Sequence, residues 1–198
     1  FLENISGNIN RYITARGLEW TNGNSLIIGL SETVIYSGEN RSIDIGYLNP
    51  ISSHLEIELN ERLNMPVGAY ANGVWQIHID CFISNRFRFS GNYLYDEFVI
   101  DTIEEEKGKE HGKAFSARIA YSPLSMNEHL LTIYSSIMYI GTPTFRHSLG
   151  SNNFVQEEKP LGWFKGSDSQ EVRIGFNYFN RYNIIGSVSS GLSQAGKE

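Results

Sequence analysis

The chain has 198 residues, a formal net charge of −6 and one cysteine, Cys81. An acidic balance without a basic stripe leaves nucleic-acid binding without electrostatic support. A single cysteine excludes an intrachain disulfide and any cysteine-based zinc site. Charged residues make up 19% and hydrophobic ones 40% at a mean hydropathy of −0.29, so the polarity comes from Ser, Asn, Gly and Thr. With 11 Tyr, 11 Phe and 19 Gly, the composition suits antiparallel β structure with many turns. No apolar run approaches the roughly 18–20 residues of a membrane helix. There is no signal peptide and the first residue is Phe1, so the chain is expected to be a piece of a longer one.

Taken in order, residues 11–20 read as a first strand with Leu18 and Trp20 on one face. Thr21-Asn22-Gly23-Asn24 reads as a hairpin turn, since Asn-Gly accepts the positive φ such turns need. A second strand spans 25–36. An irregular stretch, 37–69, holds Pro50 and Pro66, and in it Leu55, Leu59 and Leu63 predict a short helix over 54–63. The third strand, 70–83, sets Trp75, Ile77, Ile79, Cys81 and Ile83 against Gln76, His78 and Asp80. The fourth, 86–100, sets Phe87, Phe89, Gly91, Tyr93 and Tyr95 against Arg86, Arg88, Ser90 and Asn92. A charged loop, 101–111, follows. Asp101 to Glu106, with Asp96 and Glu97, offer oxygen ligands for a divalent cation or simply a solvated face. The fifth strand is 112–121, a turn covers 122–128, and the sixth strand is 129–140. A long loop from 141 leads to the closing hairpin, 169–194, whose Val172, Ile174, Phe176 and Tyr178 alternate with Glu171, Arg173, Gly175 and Asn177.

The connections alternate short and long, and all five prolines fall in expected connections, where no ladder donor is needed. Strands of about 10–14 residues exceed the mode of about 5–6 and match the roughly 9–11 that cross a bilayer at a tilt. Together these predict an all-β fold, an antiparallel transmembrane β-barrel of about eight strands over residues 1–198, one domain and part of a larger barrel. Tyr12, Trp20, Tyr36, Trp75, Tyr95, Tyr121, Tyr139 and Tyr178 would form interfacial girdles. A soluble sandwich or lipocalin-like barrel explains the alternation but not the strand length or the rhythm. Glu32 shares parity with Ile28, Leu30 and Val34, which implies a bulge or an interfacial position for it.

Gly17-Leu18-Glu19-Trp20, the run Ile28 to Tyr36, Glu39-Asn40-Arg41 and Tyr47-Leu48-Asn49-Pro50 resemble the Wzi-like capsule-assembly family of bacterial outer-membrane proteins. The run Leu94 to Asp101, and Leu161-Gly162 followed by the run Gly166 to Ser169, are similar to it as well. The resemblance implies an integral outer-membrane barrel of more than eight strands. It also implies a non-enzymatic role: binding capsular or other surface polysaccharide and helping to assemble or anchor the capsule. Its surroundings would be outer-membrane lipid and lipopolysaccharide, and the protein is expected to be monomeric and to need no cofactor. The chain ends in Gln194-Ala195-Gly196-Lys197-Glu198 rather than in a strand closed by an aromatic residue, which again implies a segment.

The long loop carries Arg146, His147, Trp163, Phe164, Lys165 and Asp168. Aromatic rings that stack on sugars, beside cations that meet uronates, would bind the polymer there; the same rings can instead pack the loop over the barrel mouth. Asp80, Arg86, Arg88, Arg118, Glu171 and Arg173 take the polar parity of their strands. They would face the lumen, either as a selective polymer surface or channel, or as ion pairs that fill it. His54, His78, His111, His129 and His147 lack metal-ligand spacing, and no Gly-x-Ser-x-Gly elbow occurs. The alternatives carried forward are a porin-like channel and, from a different class, a barrel hydrolase.

Overall fold

The computed structural model describes residues 8–53, 56–57, 71–96, 111–126, 128–147, 150–182 and 184–196. Ten strands follow in chain order. They are β1 (Ile9–Thr21), β2 (Leu26–Glu39), β3 (Ala71–Ser84), β4 (Phe87–Tyr95), β5 (Lys113–Met126) and β6 (His129–Ile140), then β7 (Val155–Gln156), β8 (Lys159–Pro160), β9 (Ser169–Asn180) and β10 (Ile185–Ala195). Eight of them form one antiparallel meander, β1-β2-β3-β4-β5-β6-β9-β10. The sheet is not closed: β1 and β10 are its edges. β7 and β8 make a small separate ribbon inside the β6–β9 connection.

Register that shifts only near the turn ends of β3–β4 and β5–β6 carries the alternation of single strands across the sheet. Leu18 opposes Leu30, Leu30 opposes Ile77, Ile77 opposes Tyr93, Tyr93 opposes Phe115 and Phe115 opposes Tyr139. All lie on one apolar face, because side chains alternate strictly along each strand. The eight expected girdle aromatics share that face. Tyr12, Tyr36, Trp75, Tyr95 and Tyr139 stand towards its loop end, and Trp20, Tyr121 and Tyr178 towards its turn end. Between them the face is mostly aliphatic and open: Leu18 is 80% exposed, Ile77 54%, Ile174 60% and Leu192 84%. The opposite face carries Gln76, Asp80, Arg88, Asn92, Ser116, Arg118, Glu171 and Arg173.

The two ends of the sheet differ. At one end the strands are joined by tight turns. In the first, Asn22 Oδ1 accepts from the amides of Asn24, Ser25 and Leu26 at 3.0, 2.9 and 3.0 Å, and Gly23 takes φ 78°. At the other end, two long connections fold back on opposite faces. Residues 40–52 lie against the apolar face, where Tyr36 stacks between Tyr12 (5.2 Å) and Tyr47 (4.5 Å), and Ile57 packs on the same cluster. Residues 141–168 lie against the polar face, where Phe154 and Phe145 pack on Ile35, Val74 and Leu94.

Several expectations change. Pro123 lies inside β5, not in a turn. It sits where the β5–β6 register shifts between Tyr121 and Leu124, a bulge that spares it a ladder bond. Pro160 lies in β8, a strand of an isolated ribbon. Glu32 needs no bulge: the β1–β2 register is continuous and sets it opposite Arg16, with which it pairs. Arg16 Nη1 also donates to Asn49 O at 2.6 Å, so the overlying segment covers the pair. Of the expected helix 54–63 only Glu56 and Ile57 are described, both helical; the rest, and the acidic run 101–106 with Glu97, lie outside the described residues.

Candidate functional site

The β6–β9 connection leaves the top of β6 and reaches β1, five strands away, about 24 Å of sheet at about 4.8 Å per strand. Buried Arg11 on β1 holds it by three backbone carbonyls: Ser151 O (2.6 Å), Asn153 O (2.9 Å) and Val155 O (3.0 Å). Ser37 Oγ donates to Asn152 Oδ1 (2.7 Å), and Asn72 Nδ2 donates to Asn152 O (3.3 Å). Nearer its origin, Asp96 accepts from the Phe145 amide, and Thr144 Oγ1 donates to Lys113 O (2.8 Å). A loop folded inward would leave its carbonyls without water, and the polar parity of β1, β2 and β3 supplies their donors.

Beneath this loop, Phe145 and Trp163 overhang an amide ladder on the sheet. Gln76 Nε2 donates to Asn92 Oδ1 (3.0 Å), and Asn92 Nδ2 donates to Ser116 Oγ (3.2 Å). The hollow between them holds about 220 Å³ and is floored also by Leu94, Ala114 and Met138. That is below the roughly 300 Å³ at which pockets for drug-sized ligands begin; it suits one ring. An indole roof over amide and hydroxyl groups can stack on the apolar face of a ring and exchange hydrogen bonds with its edge.

The six loop residues picked from sequence separate. Trp163 reaches the hollow. Phe164 touches Trp163 at 4.6 Å between ring centroids and is itself exposed. Lys165 lies 5.4 Å from the Phe164 ring centre and bonds Glu171 Oε2 at 3.2 Å, so its charge is already partnered. Arg146 is exposed, and among the described residues its side chain meets no carboxylate. His147 donates its amide to Asn153 Oδ1 (2.7 Å), a contact internal to the loop. Asp168 is a structural joint: it takes φ 55°, accepts from Thr142 Oγ1 at 3.2 Å, and its carbonyl accepts from the Gly196 amide at 2.6 Å.

The six polar-face charges separate too. Asp80 accepts from Arg88 Nε at 2.8 Å, and Arg173 meets Glu171 at 3.0 Å, so these four are ion pairs. Arg118 lies 3.9 Å over the Tyr134 ring. Arg86 is not on a strand face at all, because it occupies the β3–β4 turn. His78 Nε2 lies 3.2 Å from Glu19 Oε2, His111 Nδ1 2.8 Å from Tyr95 OH, and His129 Nδ1 2.7 Å from Tyr178 OH. Among the described residues no group of three or more His, Cys, Asp or Glu is arranged to hold a metal ion.

Sequence reading missed Arg11, Gln76, Asn92 and Ser116 as site residues. Their signal was only polar parity, which many residues share; register and loop path single them out. Comparison with protein-family models, with curated proteins and with solved structures finds no match for this chain. The likeness to capsule-assembly proteins therefore rests on the sequence stretches alone.

Proposed function

We propose that this chain is part of a bacterial outer-membrane β-barrel that binds capsular or other surface polysaccharide at its mouth and acts without catalysis. The observation that carries this reading is a sheet whose apolar face, outside the patch under residues 40–52, lies uncovered while a long loop folds onto its polar face. Large apolar side chains exposed across eight strands are a liability in water and the requirement in lipid, where an aliphatic band flanked by aromatics is expected. The inward loop gives the mouth a Trp163 roof over hydrogen-bonding groups, and Arg146 and Phe164 on its open side supply a cation and a further ring. A porin-like channel would share the barrel, but a loop that ties β6 to β1 crosses the path a solute would take.

Two measurements test the reading. Full chain refolded in detergent is titrated with purified acidic capsular polysaccharide. Trp163→Ala is expected to weaken binding about tenfold, which is about 1.4 kcal/mol, with no steady conductance in a planar bilayer. Wild-type chain that binds no polymer but conducts would leave the channel. For the membrane, Ile174→Arg is expected to lower stability in lipid vesicles by about 2–4 kcal/mol. The same change at an exposed site facing water would shift stability by less than about 0.5 kcal/mol, and that outcome would remove the lipid-facing assignment.

A further inference from the structure

We propose that the turn end of the polar face is an anion-binding site, in which Arg86, Arg88 and Arg118 line one hollow and take a carboxylate, phosphate or sulfate group. The hollow holds about 450 Å³ and is bounded also by Ser90, Ser122 and Thr132. It lies at the opposite end of the strands from the Trp163 hollow. Asn92 belongs to one and Arg88 to the other, four residues or about 13 Å apart along β4.

Of the three arginines that line the hollow, Arg88 alone meets a carboxylate among the described residues, that of Asp80. Asp80 accepts from Arg88 Nε at 2.8 Å and from Ser90 Oγ at 3.2 Å, so its oxygens are engaged. Among the described residues neither Arg86 nor Arg118 has a carboxylate partner. The excess of positive charge in a recess favours an anion and raises its local concentration.

Arg118 is also held in a binding posture. Its guanidinium lies 3.9 Å over the Tyr134 ring, and Tyr134 itself lies flat across the opposing Gly175, where an added Cβ would come within 2.7 Å of the ring. Glycine thus makes room for the tyrosine, and the tyrosine fixes the plane of the arginine. A guanidinium stacked by its face keeps its edge N–H groups for an oxyanion, and the stacking pre-orders the fork that carboxylate and phosphate match. Ser122 Oγ and Thr132 Oγ1 share one hydrogen bond at 3.0 Å, which leaves one hydroxyl proton of the pair to donate on the same wall. The chemistry required of the ligand is one compact oxyanion. An acidic sugar of a polymer and a free inorganic anion both provide it, and choosing the sugar rests on the polysaccharide reading above.

The test uses the full chain in nonionic detergent at low salt, titrated separately with inorganic phosphate and with trigalacturonate. Binding of phosphate by the wild type, weakened tenfold or more in Arg86→Gln/Arg118→Gln and unchanged in Trp163→Ala, is expected. The last comparison separates this site from the mouth, because Trp163→Ala reports only on the latter. Arg118→Lys keeps the charge and loses the planar fork; a several-fold loss with an unaltered melting transition would show that geometry, not folding, was removed. Trigalacturonate that binds at least tenfold tighter than phosphate supports the acidic sugar as ligand. Equal affinities overturn that assignment in favour of a small inorganic anion. Absence of phosphate binding in the folded wild type, or binding indifferent to both arginine variants, overturns the site.

Discussion

Two long connections leave the same end of this sheet, and they are fastened by different balances of ring packing and hydrogen bonds. Residues 40–52 meet the apolar face through rings: Tyr47 on Tyr36, Tyr36 on Tyr12, with Arg41 4.8 Å over the Tyr36 ring. The described residues of 141–168 meet the polar face mainly through hydrogen bonds: Arg11 and Asn72 donate to carbonyls of the connection, and Thr144 of the connection donates to Lys113 O. The difference follows from what each face offers. An apolar face holds a segment chiefly by burying side chains, with a few donors such as Tyr12 OH to Arg41 O (2.7 Å) and Arg16 Nη1 to Asn49 O (2.6 Å) at its edge, whereas a polar face offers donors for the carbonyls that an irregular segment brings with it. The outer segment should therefore fail when a ring is removed, and the inner loop when a donor is.

The largest effect is expected at Tyr36, fully buried and stacked on both sides. Tyr36→Ala should cost about 3–5 kcal/mol in a denaturant titration, and should expose residues 40–49 to amide exchange while the amides of 150–156 stay protected. Arg11→Met is the mirror case. It removes three charge-assisted bonds, each worth about 1.5–3 kcal/mol at most, and an opened loop recovers part of that in water. A net loss of about 3 kcal/mol is expected, with limited proteolysis confined to the loop; cleavage that instead began in 40–49 would break the comparison. The smallest effect concerns the ion pair under the outer segment. Glu32→Leu strands Arg16 on the apolar face and should cost about 2 kcal/mol, less than a fully buried pair because Arg16 keeps some exposure. Adding Arg16→Met should restore about half of it; a double variant worse than the single would mean the pair itself, not the stranded charge, sets the stability.

The strands were legible because period two over 10 or more residues is hard to mimic. The β6 bounds match the sequence reading, and the eight aromatics expected to form girdles share one face as parity requires. What escaped were places where one residue type serves two contexts. Pro123 reads as a turn until a bulge gives it room inside β5. Glu32 reads as a misfit until register brings Arg16 beside it. Arg86 reads as a strand residue because parity continues through a two-residue turn. The hollow under the long loop was half legible. Trp163 stood out by type, but nothing local announces that Arg11, about 140 residues earlier in the chain, holds the loop that carries it.

Except at β6–β9, where the small β7–β8 ribbon intervenes, the meander joins only consecutive strands, so most strand pairs can form without waiting for distant chain, and such local ordering is fast. The longest links are the bonds from Arg11, Ser37 and Asn72 to residues 151–155, with sequence separations of 80 to 144. Closing a loop of that span costs entropy that only its final contacts repay. Refolding is therefore expected in two stages, with strand pairing first and the inner loop docking last, and Trp163 fluorescence should lag behind the backbone signal.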